Sequence, residues 1–438
     1  MDRSPVHELV DALWRALHEL GSPATTPDIE RWAFSIHGAL SAHGREYHNH
    51  DHVIEIASAG DPLEVIAALY HDAVYIQVDH DAPRSMKAEL DGVLATAPDG
   101  WRLLPAAAEV ECSDVLVVFG VKVGDVIKPT TGLNEVASAL VASVQLAHAL
   151  DRAQRVAVAA CIEQTIPFRL DPVTPLHQRI GTLGLPDAQV DEIMRRAVRV
   201  GNRDVENFAD NDAARFLDNT WKLLPESNPA LHAPSVYTVR DYRVALQKME
   251  GFLAWLPAEQ VFHYYADEPK PEVHARRVAR TTGNLELAVR YLRAKLYSIS
   301  LVEAIAAITG GDVPLEYFMG SAAVASDAKR LEQFLPHFTS RRDLDPPLHR
   351  LLAQGRASES SFDTKPSPIG AFLHASVGEA TMMDGIEMAK KWWAGAITPA
   401  EYLASQPPKP IAAIARAAAN IVDTRRDRLF ALAERLES

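Results

Sequence analysis

Three histidines alternate with other polar residues in residues 47–52, whose sequence is YHNHDH. Imidazole side chains bind divalent metals and exchange protons near neutral pH. If the segment is helical, His48 and His52 project from the same face, because they lie four residues apart, whereas His50 points elsewhere. Two imidazoles alone make a weak metal site, since such sites need three or four ligands. The segment therefore predicts a metal centre only if other parts of the chain contribute ligands.

His71 and Asp72 are adjacent candidates for those further ligands, and they follow an apolar run. Residues 63–69 are apolar nearly all round, which is typical of a helix buried in a bundle. Such a helix would place His71 and Asp72 in the interior, where an unpaired charge is costly. A divalent cation would pair with both side chains, whereas a His–Asp hydrogen bond closing the helix would pair them with each other. This segment alone leaves both interpretations open.

Asp204 is a candidate fourth ligand, because it continues the apolar face of a helix predicted within residues 190–210. A carboxylate on such a face, followed by Asn207 at the next helical turn, is typical of a metal ligand with a partner that supports it or contacts a phosphate. The alternative is a buried carboxylate that pairs with Arg199 or Arg203. Taken alone, this segment favours the ion pair.

Together, the motifs resemble the HD-domain superfamily of metal-dependent phosphohydrolases over roughly residues 27–225. The YHNxxH and His-Asp motifs are similar to those of small bacterial HD hydrolases and of the cyclic-nucleotide phosphodiesterase branch, and residues 204–207 resemble the Asp-x-x-Asn of that branch. The resemblance implies one divalent ion, namely Mn, Fe, Zn or Mg, since two nitrogens and two carboxylates suit such metals. Its ligands would be His52, His71, Asp72 and Asp204.

The resemblance also implies the reaction, which is hydrolysis of a phosphoester of a nucleotide or another small molecule by metal-activated water. His48 would protonate the leaving oxygen as a general acid. Arg45 and Arg203 would neutralise the phosphate, with a surface salt bridge as the alternative role for each. The implied catalytic residues are His48 and Arg45, and the implied substrate-binding residues are Tyr47, Tyr75, Asn207 and Arg203.

Tyr75 departs from the pattern of the two-metal phosphodiesterase branch, in which a histidine stands three residues after the His-Asp pair. A second metal therefore lacks this ligand, although His80 could approach from its loop. Two other functions remain alternatives. One is an HD-fold di-iron oxygenase, against which Tyr75 argues. The other is a non-catalytic regulatory module that binds a nucleotide, a hypothesis suggested by the long C-terminal part.

Apolar residues recur at three- and four-residue spacing along most of the chain and predict an all-α fold. A chain of 438 residues is too long for one ordinary core. A charged, proline-containing break at 266–272 divides it into an HD-type helical bundle at 1–266 and a second helical lobe at 273–438. Residues 115–127, which are rich in β-branched side chains, predict a short hairpin or extended insertion.

Composition limits the classes of partner and compartment. The formal net charge of −14 argues against binding to a nucleic acid polymer, because phosphate backbones require clustered Lys and Arg. Two cysteines indicate a reducing compartment. Neither a secretory signal nor an apolar segment long enough to span a membrane is visible in the sequence. We therefore expect a cytoplasmic enzyme that acts on a small phosphorylated substrate and does not bind membranes.

Overall fold

The computed structural model describes residues 4–232, 235–320, 329–336 and 344–438. These residues are predominantly helical, which confirms the predicted all-α class. They form two compact units, of which the first contains the residues up to 209 together with 257–282, and the second contains 210–256 and the residues from 283 onward.

The first unit holds the sequence motifs. Its α-helices are α1 (Pro5–Glu19), α2 (Thr26–Leu40), α3 (His50–Ala57), α4 (Pro62–Tyr70), α5 (Ile76–Asp79), α6 (Lys87–Leu90), α7 (Val110–Phe119), α8 (Leu133–Gln145), α9 (Arg152–Gln164), α10 (Val173–Gly181) and α11 (Asp187–Asp204). Short 3₁₀ helices lie at Arg84–Met86, Pro105–Ala108, Pro129–Thr131, Glu206–Ala209 and Ala258–Gln260.

Helix α9 is central to the core of the first unit. Residues 156–164 of this helix are all buried, and α9 packs against α4, α7, α8 and α11. Burial of an apolar side chain contributes about 1.5–3 kcal/mol to folding, so this set of contacts fixes α4 and α11 firmly relative to each other. Helix α4 ends at Tyr70, immediately before the predicted ligands His71 and Asp72. Helix α11 ends at Asp204, which is itself a predicted ligand.

The second unit contains α12 (Ala213–Ser227), α13 (Val239–Trp255), α15 (Leu315–Met319), α16 (Pro346–Gln354), α17 (Pro368–Val377), α18 (Glu379–Trp393), α19 (Pro399–Ala404), α20 (Pro408–Ala419) and α21 (Arg426–Glu437), with 3₁₀ helices at Pro229–His232, Leu331–Phe334 and Asp423–Arg425. Helix α14 (Pro271–Thr309) contributes residues 271–282 to the first unit and the rest to the second.

The units interleave in sequence, whereas the break at 266–272 predicts a single boundary. Residues 210–256 belong to the second unit because their side chains pair with residues much later in the chain. The indole N–H of Trp221 donates to Asp363 at 2.9 Å, and Thr238 forms a backbone bridge with Pro314. Such long-range pairs are not visible in local composition.

A small antiparallel sheet in the first unit has the order β1-β2-β3, formed by β1 (Leu94–Ala97), β2 (Gly100–Leu103) and β3 (Val126–Ile127). The extended insertion predicted for residues 115–127 is wrong for 115–119, which belong to α7, whereas 126–127 form β3. Val115, Leu116 and Val118 are buried in α7. Their burial in the core outweighs the β preference of valine.

Within the part of the chain that the structure describes, no helix combines the length and the apolar character needed to cross a bilayer.

Candidate metal centre

Helix α3 positions the first of the candidate ligands, His52. The side chain of Asn49 caps this helix by accepting hydrogen bonds from the backbone N–H groups of Asp51 (3.0 Å) and His52 (3.3 Å). The helix therefore begins at His50, and His48 precedes it, contrary to the prediction that one helix carries both His48 and His52. The two imidazole rings nevertheless lie side by side, with centroids 5.8 Å apart.

Helix α4 positions the His71–Asp72 pair. Asp61 caps its start by accepting from the N–H groups of Leu63 and Glu64, and every residue after Pro62 except Val65 is buried. His71 is the last, half-helical residue, and its Nδ1 lies 2.7 Å from the carbonyl oxygen of Ala68. Because a carbonyl only accepts hydrogen bonds, Nδ1 carries the proton, and the lone pair of Nε2 in the neutral ring points into the site.

Asp204, the last residue of α11, meets both histidines. Its Oδ1 atom lies 3.0 Å from Nε2 of His52 and 3.5 Å from Nε2 of His71. Asp204 thus contacts histidines, and the predicted alternative, in which it pairs with Arg199 or Arg203, does not occur. Arg199 and Arg203 instead contact the carboxylate of Glu64, at 2.5 and 2.7 Å.

The separations between these donor atoms fit one divalent ion. Nε2 of His71 lies 2.9 Å from Oδ2 of Asp72, and Nε2 of His52 lies 3.5 Å from the same oxygen. Ligand bonds of about 2.0–2.1 Å place neighbouring donors about 3.0 Å apart in an octahedral site and about 3.4 Å apart in a tetrahedral one. His52, His71 and Asp72 are buried, with donor atoms all within 4.8 Å of one another. Asp204 and His80 are not part of this group, although Oδ1 of Asp204 contacts both histidines.

Two buried atoms of the cluster would be satisfied by a positive charge between them. Nε2 of His71 and Oδ2 of Asp72 are shielded from solvent, and neither has a hydrogen-bond partner among the described residues. A buried polar atom without a partner costs about 1–3 kcal/mol. A metal ion bound by both atoms would remove that cost, as would a proton on Nε2 of His71, which lies 2.9 Å from Oδ2 of Asp72.

The electrostatics of the cluster agree with this need. Burial lowers the pKa of His71, but the charges of Asp72 and Asp204 outweigh burial and raise that pKa well above its ordinary value. Burial raises the pKa of Asp204, but the contacts with His52 and His71 outweigh it and lower that pKa to about 2. The two carboxylates are therefore anionic at neutral pH and attract a cation to the site.

Glu135, on α8, is a candidate functional residue that the motifs do not predict. Its Oε2 atom is shielded from solvent and has no hydrogen-bond partner in the described part of the chain. Burial raises the pKa of Glu135 to about 7, opposed by a hydrogen bond from its own backbone N–H and reinforced by the charges of Asp72 and Asp204. An acidic residue in a mostly apolar helix is the same signal that identified Asp204, and it could have been used here.

Helix α8 also holds the turn that contains Asp72. The side chain of Asn134 accepts from the backbone N–H of Ile76 at 3.0 Å, and the hydroxyl of Ser138 accepts from the N–H of Val74 at 3.0 Å. Two neighbours of Glu135 on one helix thus fix the loop that follows the His71–Asp72 pair. This arrangement brings the Glu135 carboxyl group close enough to the cluster for its pKa to be affected.

The two arginines predicted to contact phosphate are engaged elsewhere. The side chain of Arg45 is fully buried, pairs with Asp79 at 2.5 Å and donates to the backbone carbonyl of Asp72 at 2.6 Å. Arg203 pairs with the buried Glu64. Both side chains therefore have partners within the first unit, and the roles that the motif resemblance implies for Arg45 and Arg203 stay predictions.

The remaining predicted residues surround the cluster. The ring of Tyr47 lies 4.6 Å from that of His52, and the ring of Tyr75 lies 4.4 Å from that of His48. Asn207 lies in the 3₁₀ helix after α11, and its Oδ1 atom is buried without a hydrogen-bond partner among the described residues. His50 is not part of the metal-ligand group and pairs with the exposed Asp51 at 3.0 Å.

The imidazole nitrogens of His52 and His71 and a carboxylate oxygen of Asp72 form a group that could hold a borderline or hard divalent ion, with Asp204 in contact with both histidines. His48 lies beside this group, and Glu135 has a raised pKa. Such an arrangement can bind a metal ion and exchange protons with a substrate held next to it. No family model, no curated protein and no solved structure matches this chain.

Proposed function

We propose that the first unit is a metal-dependent phosphohydrolase of the HD-domain type that cleaves a phosphoester of a nucleotide or another small molecule. The main support is the meeting of three distant motifs at one point, with histidine nitrogens and carboxylate oxygens 2.9–3.5 Å apart. The order of these motifs in the sequence supports the family. The buried atoms of His71 and Asp72 that lack partners support the presence of a metal ion.

His52, His71, Asp72 and Asp204 would hold the ion, and a bound divalent ion would polarise the phosphoryl oxygens and lower the pKa of a water molecule. The tautomer of His71 is already suited to this role, because its Nδ1–H donates to the carbonyl of Ala68. Three of the four residues are buried, and the side chain of Asp204 is only 15% exposed. Little rearrangement is therefore needed on binding.

Glu135 would accept the proton of the attacking water. A general base acts most effectively when its pKa is close to the working pH. Burial raises the pKa of Glu135 to about 7, so a large fraction is ionised at neutral pH and still basic enough to take a proton. Its position next to the cluster, without being one of the four donors, suits this role.

His48 would donate the proton to the leaving oxygen. The residue lies outside α3, beside His52, and its ring contacts the ring of Tyr75. It is close enough to lower the pKa of Asp72 by its charge. A group in this position can reach a substrate bound at the cluster without giving up a metal bond.

Arg45 would act as a positioning residue in the same reaction. Its hydrogen bond to the carbonyl of Asp72 fixes the backbone of a ligand, and its ion pair with Asp79 anchors it to α5. A distance error of about 1 Å in a catalytic group can cost about 100-fold in rate. The arginine therefore contributes through the placement of Asp72.

The test is a panel of mono- and diesters of phosphate, assayed with Mn, Fe, Zn and Mg in turn. We expect hydrolysis of some of these esters by the wild type and its loss in His71→Ala, with an unchanged helical circular dichroism spectrum. His50→Ala is the matched control, because His50 lies in the same segment, pairs with the exposed Asp51 and is not part of the metal-ligand group, and it should keep full activity. Equal activity in His71→Ala and the wild type would refute the proposal, as would a preparation that contains two irons and oxidises its substrate.

A further inference from the structure

A second concave site lies entirely within the second unit. It is a cavity of about 810 Å³ between the start of α12, α16 and the segment after α16. Binding sites for small molecules usually measure about 300–1,000 Å³, so the cavity has a suitable size. Its polar lining includes Asp212, Arg215, Asn284, Arg350, Arg356 and Lys365.

The lining has four cationic side chains and one carboxylate, in a protein whose formal net charge is −14. Two of the cations already have partners, since Arg215 pairs with Asp210 at 3.2 Å and Arg356 pairs with Asp363 at 3.2 Å. For the side chains of Arg350 and Lys365, the described ranges of the chain contain no acidic partner. The cavity therefore has a local excess of positive charge that its own residues do not neutralise.

Backbone contacts hold the segments that carry Arg356 and Lys365 close to each other. Gly355 ends α16 with φ +85°, and a Cβ atom there would lie 2.3 Å from the carbonyl oxygen of Lys365, so only glycine allows this approach. The backbone N–H of Arg356 donates to that same carbonyl at 3.2 Å, and the N–H of Ala357 donates to the carbonyl of Ala214 at 3.2 Å. The three walls of the cavity are thus joined by backbone contacts and are preorganised.

Arg356 is a structural part of the cavity lining. Its side chain is fully buried, its guanidinium carbon lies 4.5 Å from the ring centre of Trp221, and its nitrogens lie 3.2 Å from Asp363 and 3.9 Å from Asp218. The 15-residue helix α12 starts at the cavity, where Asp212 caps it by accepting from the backbone N–H of Ala214 at 3.0 Å. The case for an anionic ligand therefore rests on Arg350 and Lys365, the two lining cations that have no acidic partner among the described residues.

We propose that this cavity binds the phosphate group of a small phosphorylated molecule. A phosphate dianion matches the charges of Arg350 and Lys365, which have no acidic partner among the described residues, and the guanidinium fork is suited to phosphate oxygens. The cavity is much larger than one phosphate ion, and Leu287, Pro347 and Leu351 line part of it. This space suits the non-phosphate part of a phosphomonoester, so the site takes an ester rather than the free ion.

The test is calorimetric titration of the full-length protein with inorganic phosphate, ribose 5-phosphate and AMP, each at two salt concentrations. We expect at least one ester to bind. Arg350→Gln and Lys365→Gln should each weaken the binding about 10-fold, which corresponds to one lost charge-assisted contact of about 1.4 kcal/mol. Arg240→Gln is the control, because Arg240 is an exposed arginine of the same unit that does not line the cavity. The affinity of this variant for the ester should equal that of the wild type.

The three ligands distinguish binding of free phosphate from binding of a phosphate ester. Binding of inorganic phosphate alone, weakened by both substitutions, would confirm the anion site but overturn the assignment of an ester. Absence of binding for all three at millimolar concentration would overturn the proposal altogether. So would affinities that stay the same in the Arg350→Gln, Lys365→Gln double variant, because the anion would then bind elsewhere. Thermal unfolding of each variant shows whether it is folded.

Discussion

Nε2 of His52 lies 3.0 Å from Oδ1 of Asp204, a residue 152 positions further along the chain. His52 is placed by the Asn49 cap of α3, and Asp204 by the end of α11. Both helices contact α4, which ends at Tyr70, immediately before His71. Three independent local structures therefore bring their polar ends together in an apolar unit, an arrangement that is costly unless a cation or proton is bound there.

Asn49→Ala should lower both stability and metal affinity. The substitution removes the cap from α3, which costs about 1 kcal/mol, and it loosens the backbone of His52. Thermal unfolding and metal titration measure the two effects. Thr398→Ala is the control, because Thr398 caps α19 in the second unit. It should cause a similar loss of stability without any change in metal affinity, and an equal loss of affinity in both variants would contradict the assignment.

Glu135→Gln should change the pH dependence of stability in the chelator-treated protein. Burial raises the pKa of Glu135 from 4.5 to about 7, so the folded state binds this proton more tightly than the unfolded state does. Stability then falls as the pH rises from about 4.5 through 7. The glutamine has no charge, so the variant should be more stable than the wild type by about 1–3 kcal/mol at pH 8.

At pH 4 the advantage of Glu135→Gln should disappear, because Glu135 is then protonated in both folded and unfolded chains. Chemical unfolding at pH 4, 6 and 8 gives the three differences in unfolding free energy. A difference that does not depend on pH would show that Glu135 has an ordinary pKa. The same variant should lose phosphohydrolase activity while it retains the metal ion.

Arg45→Ala should destabilise the first unit strongly. The side chains of Arg45 and Asp79 are 0% and 9% exposed, and removal of one partner of a buried pair costs about 3–5 kcal/mol. Arg45→Ala with Asp79→Ala should recover part of this loss, because no unpaired carboxylate remains. Denaturant unfolding of the two single variants and the double variant measures the coupling. Loss of activity at unchanged stability would instead indicate direct contact with substrate.

His48→Asn should separate proton donation from metal binding. His48 lies beside His52 but is not one of the four donors, so the variant should contain as much metal as the wild type. Its turnover number should fall by about 100-fold or more, since general acid catalysis contributes about 10²–10⁴-fold. His50→Asn should match the wild type in both measurements. A loss of metal in His48→Asn would make His48 a ligand.

The sequence allows the position of the His71–Asp72 pair to be predicted because its determinants are local. Asp61 and Pro62 mark the start of α4, and the apolar run predicts its burial. The same reasoning places Asp204 on the inner face of α11. The start of α3 is harder to predict from the sequence, since the cap formed by Asn49 places His48 outside the helix.

Other features depend on contacts between distant segments and could not be predicted. Arg45 pairs with a carboxylate 34 residues away, so its sequence neighbourhood does not reveal that it is buried. The same holds for residues 210–256, where Trp221 joins the second unit through Asp363, 142 residues away. Val115 and Val118 have β preference, yet packing in the core places them in α7.

The most direct test of the central claim is the metal content of the protein, measured by elemental analysis after reconstitution with each of Mn, Fe, Zn and Mg. The proposal predicts about one ion per chain in the wild type, as one site with four donors requires. It predicts none in Asp204→Ala after the same desalting, with both proteins folded. An ion retained at full occupancy in Asp204→Ala, or a wild type that binds none of the four metals, would contradict it.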